Sequence, residues 1–96
     1  MSDTNKTLAR IFLETADLLA QRQANPHRIR AYKRAAQTLA SLPEDIAAIA
    51  GRGELQALPG IGRDLSGKIQ EYLETGRIQS HEDLKTPLPS EVETWT

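Results

Sequence analysis

The chain has 96 residues, is 39% hydrophobic and 26% charged, and carries a formal net charge of −1. This composition predicts one small globular domain whose core cannot enclose a substrate between two layers. The near-neutral charge argues against a dedicated, high-affinity nucleic-acid binder, because phosphate neutralisation needs clustered cations.

The chain contains no cysteine, which excludes disulfides, thiolate zinc sites and cysteine nucleophiles. No apolar run approaches the length that spans a membrane, and residues 1–6 lack the charged and apolar regions of a signal peptide. We therefore expect a cytoplasmic protein without a membrane partner, and we expect it to be a monomer.

Two helices are predicted in the first half of the chain. The first covers residues 3–23 or 4–23, where apolar residues recur at helical spacing. These residues are Leu8, Ile11, Phe12, Ala16 and Leu19. Asn25 is a suitable N-cap, and Pro26 a suitable first residue, for a second helix that extends to about residue 42.

Shorter helices are predicted next. Pro43 can open a third helix, with Glu44 and Asp45 in its first turn, where negative charge is favoured. Residues 51–53, Gly-Arg-Gly, form a turn. The segment 54–58 can then make one or two helical turns before the chain reaches its most informative stretch.

A fourth helix is predicted over residues 63–75, because its apolar residues again share one face and Gly76 suits the position after a helix. Residues 82–85 can form a last short turn. No segment alternates apolar and polar residues as a strand does. The sequence thus predicts an all-α, compact four-to-five-helix domain at residues 4–85, with an extended or flexible tail at residues 86–96.

The most informative stretch is Leu58-Pro59-Gly60-Ile61-Gly62, a two-glycine turn that leads directly into the fourth helix. We expect Gly60 and Gly62 to adopt φ values or close approaches that a Cβ would obstruct. The unpaired N–H groups and the positive dipole end of the helix face this turn. The arrangement suits a phosphate oxygen bound by main-chain N–H groups; a plain helix–helix connector is the alternative.

Cations are concentrated in one part of the chain. From Arg22 to Arg34 there is no acidic residue. The second helix carries Arg28, Arg30, Lys33 and Arg34, and His27 precedes them. Such a face is either ordinary solvated surface or a modest, salt-sensitive binding surface for a polyanion.

The turn between two helices resembles a helix-hairpin-helix motif, which binds the DNA backbone without reading sequence. A longer pattern comprises residues 25–36 (NPHRIRAYKRAA), 42–46 (LPEDI), 58–62 (LPGIG) and 72–78 (YLETGRI). These segments, in this order, resemble the amino-terminal domain of family X DNA polymerases, the DNA polymerase beta group. The bacterial members of that group look most similar. The resemblance covers roughly residues 4–90 and implies a role in DNA repair.

In that family the domain binds the 5′-phosphate side of a DNA gap, and the family's phosphate pocket aligns with His27, Arg28 and Tyr32. Tyr32 lies on the apolar face of its helix, so its ring is expected in the core and only its hydroxyl could reach a phosphate. The DNA-binding residues that we predict are His27, Arg28, Arg30, Tyr32, Arg34, Gly60, Ile61, Gly62 and Arg63.

The resemblance also implies a cation site at the hairpin. In the family, a monovalent cation (Na⁺ or K⁺) can bind main-chain carbonyls, which here would be those of Gln56, Leu58 and Ile61. No other cofactor is expected. Further polymerase domains or a protein partner could accompany the domain, which cannot polymerise DNA by itself.

Some family members remove a 5′-deoxyribose phosphate through a Schiff-base lysine, which matches Lys68 here. A Schiff-base lysine reacts as the neutral amine, and Lys68 borders the apolar face, where it can be partly buried. Asp64, where the family has a basic residue, offers an alternative: acid and lysine four residues apart form an ordinary surface pair, which favours the ammonium.

Three functions therefore stay open: a DNA-binding module, a 5′-deoxyribose-phosphate lyase and a protein-interaction module on the same fold. The sequence offers no convincing metal site. His81 is followed by Glu82 and Asp83, but adjacent residues do not converge on one side of a helix. Trp95, in the predicted tail, has no assigned role.

Overall fold

A computed structural model describes residues 3–85 of the protein, which form five α-helices, one 3₁₀ turn and no strand. The helices are α1 (Asp3–Gln21), α2 (Pro26–Ala40), α3 (Ile46–Gly51), α4 (Arg63–Thr75) and α5 (Gln79–Lys85), and the 3₁₀ turn is Leu55–Ala57. The predicted all-α fold of four to five helices is confirmed. None of these helices combines the length and the apolar character needed to cross a bilayer.

The core is built mainly between α1 and α2, which make the most extensive contact among the described helices. Fully or nearly fully buried side chains from the two helices are Leu8, Phe12, Ala16, Leu19, Tyr32, Ala35, Ala36 and Leu39. Phe12 and Tyr32 meet edge to face, with ring centroids 5.6 Å apart, a favoured aromatic geometry. The ring of Tyr32 therefore belongs to the core, as its position on the apolar face predicts.

Both long helices end about two residues before their predicted ends. α1 ends before Gln23 because that residue has a left-handed φ of 57°, which a right-handed helix cannot include. α2 ends before Leu42 because Ser41 leaves helical geometry with φ −103° and ψ 4°. The hydroxyl of Ser41 donates to the carbonyl of Gln37 at 2.9 Å, which satisfies a carbonyl of the last turn.

The start of α3 differs from the prediction, which placed Pro43, Glu44 and Asp45 inside the helix. α3 begins only at Ile46. Asp45 is its N-cap, and the Asp45 carboxylate accepts the N–H of Ala47 at 2.8 Å. An acidic residue thus lies at this helix end, as expected, but it acts as the cap rather than as a first-turn residue.

A buried asparagine from α1 fixes the same helix end. Asn5 is only 3% exposed. Its amide nitrogen donates to the carbonyl of Glu44 at 2.7 Å, and its amide oxygen accepts the N–H of Ile46 at 2.8 Å. Since both bonds join residues about forty positions apart in the chain, no local sequence pattern could have predicted them.

Of the two C-terminal helices, α4 has the predicted bounds and α5 begins earlier than predicted. α4 occupies the predicted residues 63–75, and Gly76 ends it in the left-handed region with φ 83°. α5 is longer than the predicted turn at residues 82–85 and packs on α1. The predicted tail at residues 86–96, with Trp95, lies outside the described residues.

Candidate nucleic-acid interface

The turn between the 3₁₀ segment and α4 is a closed hairpin loop. The N–H of Ile61 donates to the carbonyl of Leu58 at 3.1 Å, and Gly60 between them has φ 79°, a value that side-chain-bearing residues rarely adopt. The side chain of Ile61 is buried in the core, so it anchors the loop. Any contact of Ile61 with a ligand must therefore use its main chain.

The two glycines of the loop have different roles, which the sequence did not distinguish. Gly60 needs its missing side chain, because φ is positive and a Cβ there would lie 2.8 Å from Cγ of Arg34. Gly62 has φ −89°, and a Cβ there would meet nothing within 4 Å. Within the protein, therefore, the conformation and the packing require a glycine at position 60 and not at position 62.

The loop is attached to α2 at two points. The hydroxyl of Thr38 donates to the carbonyl of Pro59 at 2.8 Å. The aliphatic part of Arg34 packs against Gly60, with Cγ, Cδ and Nε all within 3.3 Å of the ideal Cβ position. The basic face of α2 and the hairpin loop therefore form one continuous surface.

The first N–H groups of α4 are open to a ligand. Gly62 is the N-cap and has no side chain to accept from them. Within residues 3–85, no hydrogen bond uses the N–H groups of Gly62, Arg63 or Asp64; the helical ladder starts when Ser66 donates to the carbonyl of Gly62 at 2.9 Å. These donors, at the positive end of the helix dipole, are of the kind that binds a phosphate oxygen.

Unpaired cations surround this loop. A groove of about 660 Å³ on one side is lined by Arg30, Ala31, Lys33, Arg34, Gln37 and Gly60. A smaller cleft of about 270 Å³ on the other side is lined by Arg28, Ala31, Tyr32, Gly60, Gly62, Arg63, Asp64 and Leu65. Among the described residues, none of the arginines or lysines in these two lists forms an ion pair.

One cation away from the loop, in contrast, is neutralised by local partners. Arg52 donates to the carboxylates of both Glu44 and Glu54. These hydrogen bonds lower the pKa of Glu44 and raise the pKa of Arg52 above its ordinary value. Such an exposed pair is a structural contact, since its charges already satisfy each other.

Lys68, the lyase candidate, has the ordinary partner that its spacing allows. Its ammonium lies 3.2 Å from a carboxylate oxygen of Asp64, four residues earlier on α4. The side chain of Lys68 is only 17% exposed, whereas that of Asp64 is 77% exposed. The structure thus contains both features that the sequence put forward: the surface pair and the partial burial of the lysine.

His27 and Tyr32, two predicted DNA-binding residues on α2, differ in exposure. His27 is exposed at the start of α2, where its main-chain N–H is bonded to the side chain of Asn25 at 2.8 Å. Tyr32 is 3% exposed but lines the smaller cleft beside Arg28 and Arg63. The side chain of His27 is therefore accessible, whereas Tyr32 presents almost no surface to a ligand.

His81 has a structural partner on another helix. It is 4% exposed, and its Nε2 lies 2.6 Å from a carboxylate oxygen of Glu14 on α1. This contact helps to hold α5 against α1. In residues 3–85, no three histidine, aspartate or glutamate side chains converge as a metal site would require.

The hairpin loop thus lies between the 3₁₀ turn Leu55–Ala57 and α4, and it is attached to α2. The pattern that describes the helix-hairpin-helix domain family matches residues 3–78. The chain belongs to the helix-hairpin-helix family. Domains of this family generally bind DNA without reading its sequence. The match concerns the helix-hairpin-helix domain in general, so the narrower resemblance to family X DNA polymerases stays a prediction.

Two residues that shape the interface of this helix-hairpin-helix domain were not among the predicted site residues. Thr38 holds the loop through the carbonyl of Pro59, a contact with no local signal because the two residues are 21 positions apart. Lys33 lines the larger groove. The sequence had already placed it on the basic face of the second helix, beside Arg30.

Proposed function

We propose that this helix-hairpin-helix domain binds the DNA backbone without base readout and that it acts near gaps or 5′ ends during DNA repair. The observation that carries the proposal is the coincidence of two features at one loop. The first N–H groups of α4 are unused, and the cations around them are unpaired. Elsewhere on the domain, Arg52 has carboxylate partners.

The chemistry follows from the kind of donors present. A phosphate oxygen on the N–H groups of Gly62 and Arg63 would be stabilised by the dipole of α4. Arg63 and Arg28 line the adjoining cleft and can add charge-assisted bonds. Main-chain donors and arginines directed at phosphates position a duplex but carry no sequence information.

A preference for a gap or a 5′ end rests on the resemblance to family X polymerases together with the position of His27. This imidazole is exposed at the start of the basic helix, where it can stack on or bond to a terminal nucleotide. Because the whole chain has a net charge of −1, we expect modest affinity that falls steeply as salt rises.

The test is a titration at low salt of the isotope-labelled protein with a gapped duplex that carries a 5′-phosphate. We expect the amide signals of residues 60–64 to shift, and the shifts to be larger than with an intact duplex of the same sequence. Gly53, which also lies in a turn with positive φ, is the internal control and should not respond. Unmoved signals at residues 60–64 would overturn the proposal and favour a protein-interaction module.

A second candidate function is removal of a 5′-deoxyribose phosphate, with Lys68 as the Schiff-base nucleophile. The partial burial of its side chain, at 17% exposure, favours this candidate, because it places the amine at the border of the apolar face. Asp64 opposes it, because its carboxylate lies 3.2 Å from the Lys68 Nζ and occupies the amine in an ion pair.

Borohydride trapping on an incised abasic-site DNA tests the lyase. We expect a trapped adduct that disappears in Lys68→Ala and increases in Asp64→Asn. If the wild-type protein gives no adduct, or if the adduct persists in Lys68→Ala, the assignment to Lys68 fails while backbone binding is unaffected.

We also propose a monovalent cation at the main-chain carbonyls of Gln56, Leu58 and Ile61. Neutral carbonyl oxygens are ligands that suit K⁺ or Na⁺. The carbonyl of Leu58 already accepts the N–H of Ile61, and its second lone pair can still take a cation. DNA affinity measured in KCl and in choline chloride at equal ionic strength tests the site: equal affinities would exclude a role for the cation.

A further inference from the structure

Two depressions lined by cations meet at Gly60, which lines both of them. The smaller cleft contains Asp64 beside its arginines. The larger one, which we call the α2 groove, is lined by Arg30, Ala31, Lys33, Arg34, Gln37 and Gly60 and contains no carboxylate. A phosphodiester chain that leaves the hairpin loop therefore meets a negative charge on one side only.

The α2 groove is built as part of the hairpin rather than beside it. The stem of Arg34 fills the space that a side chain at Gly60 would occupy, so the loop and the groove share one wall. Arg30 lies one helical turn from both Lys33 and Arg34, and all three side chains are exposed. The cations thus form a patch about one turn long that adjoins the loop through Arg34.

The groove offers donors but no stacking surface. Its lining has no aromatic side chain, whereas proteins that hold unpaired bases usually stack them on aromatic rings. Gln37 adds an amide donor one helical turn after Lys33 and Arg34. The chemistry available is therefore that of a sugar–phosphate backbone whose bases face away from the protein.

We propose that a DNA strand held at the hairpin loop continues along the α2 groove, with phosphates at Arg30, Lys33 and Arg34, and does not pass Asp64. This inference rests on the proposed DNA binding and adds the path of the strand. It assigns a binding role to Lys33 and makes Arg34 both a support for the loop and a phosphate ligand.

The test measures DNA affinity against KCl concentration for matched variants on the same gapped duplex. The double variant Arg30→Gln/Lys33→Gln removes two charges from the groove, and Lys6→Gln/Arg10→Gln removes two from the exposed surface of α1. Because each phosphate contact contributes about 0.9 to the slope of log affinity against log salt, we expect the groove variant to lose about 1 to 2 from the slope. The α1 variant should lose almost nothing.

Arg34→Met keeps an unbranched stem against Gly60 while it removes the charge. We expect this variant to retain the fold and the amide shifts at residues 60–64. The slope of log affinity against log salt should fall by about 0.9, the contribution of one phosphate contact. Equal slopes for the groove variant, the α1 variant and the wild type would overturn the α2 path even though the protein binds DNA. Absence of DNA binding by the wild type would instead overturn the proposed function and this inference with it.

Discussion

The starts of α3 and α4 differ in whether side chains accept the first main-chain N–H groups of the helix. The first turn of any helix has N–H groups without helical partners. At α3 the side chains of Asp45 and Asn5 accept the N–H groups of Ala47 and Ile46. At α4 no side chain caps the helix, and this end adjoins the unpaired cations. The comparison thus contrasts a helix start whose N–H groups are accepted by side chains with one whose N–H groups have no side-chain acceptor.

Gly60→Val should have the largest effect, because it breaks the loop that presents the open helix end. A β-branched residue at φ 79° is strained, and its Cβ would approach Cγ of Arg34 to 2.8 Å. We expect backbone strain to lower the free energy of unfolding by about 1–3 kcal/mol. We also expect loss of DNA binding. Denaturant unfolding and a DNA titration measure the two effects.

Gly53→Val is the matched control for that variant. Gly53 has a similar φ of 72°, but a Cβ there would meet nothing within 4 Å. The backbone strain is therefore shared and the crowding against Arg34 is not. The folded Gly53→Val protein should bind DNA as the wild type does; a comparable binding loss in both variants would mean that stability alone explains the effect of Gly60→Val.

Asn5→Ala tests the closed helix end. It removes the acceptor of the Ile46 N–H and the donor to the Glu44 carbonyl, and it leaves buried polar groups unsatisfied. We expect a loss of about 1–3 kcal/mol in the free energy of unfolding. DNA affinity of the folded protein, measured well below the unfolding temperature, should not change. A weaker DNA affinity in this variant would contradict the functional separation of the two helix ends.

Gly62→Asp makes the start of α4 resemble the start of α3. The extended backbone of Gly62 and the free space around it suit an aspartate cap, which should stabilise the protein by a few tenths of a kcal/mol. The same carboxylate occupies the N–H groups and repels phosphate, so DNA affinity should fall. Gly62→Asn separates the two causes, because asparagine caps the helix without adding charge.

Loss of the Glu44 charge should have the smallest effect. The hydrogen bond from Arg52 lowers the pKa of Glu44 in the folded protein, so the pair contributes stability above the ordinary pKa of a glutamate and loses it as pH falls through the folded value. In Glu44→Gln this part of the pH dependence should disappear. Thermal unfolding measured from neutral to acidic pH tests this prediction. If Glu44→Gln loses stability at acidic pH just as the wild type does, the contribution of the pair is excluded.

The elements that could be predicted are those whose signals are local in the chain. α4 has its predicted bounds because Gly62 and Gly76 stand on either side of a periodic apolar face. The hairpin loop was recognisable because two glycines and a proline occur within five residues. The pairing of Lys68 with Asp64 followed from a spacing of four.

The remaining features depend on contacts between distant parts of the chain. The start of α3 was misplaced because Asn5, 41 positions from Ile46, supplies half of its capping. The different roles of Gly60 and Gly62 depend on Arg34, which the fold places against one glycine and not the other. The length of α5 reflects a bond from its first N–H, that of Gln79, to the carboxylate of Glu71.

The attachment of the hairpin loop to α2 has a thermodynamic consequence for ligand binding. Thr38 and Arg34 restrict the loop in the free protein, and α2 is itself fixed by the core contact between Phe12 and Tyr32. The conformational entropy of ordering the loop is therefore lost during folding and need not be lost again when a ligand arrives. A small domain with little net charge can in this way hold a polyanion with few contacts, because almost none of their free energy goes into arranging the donors.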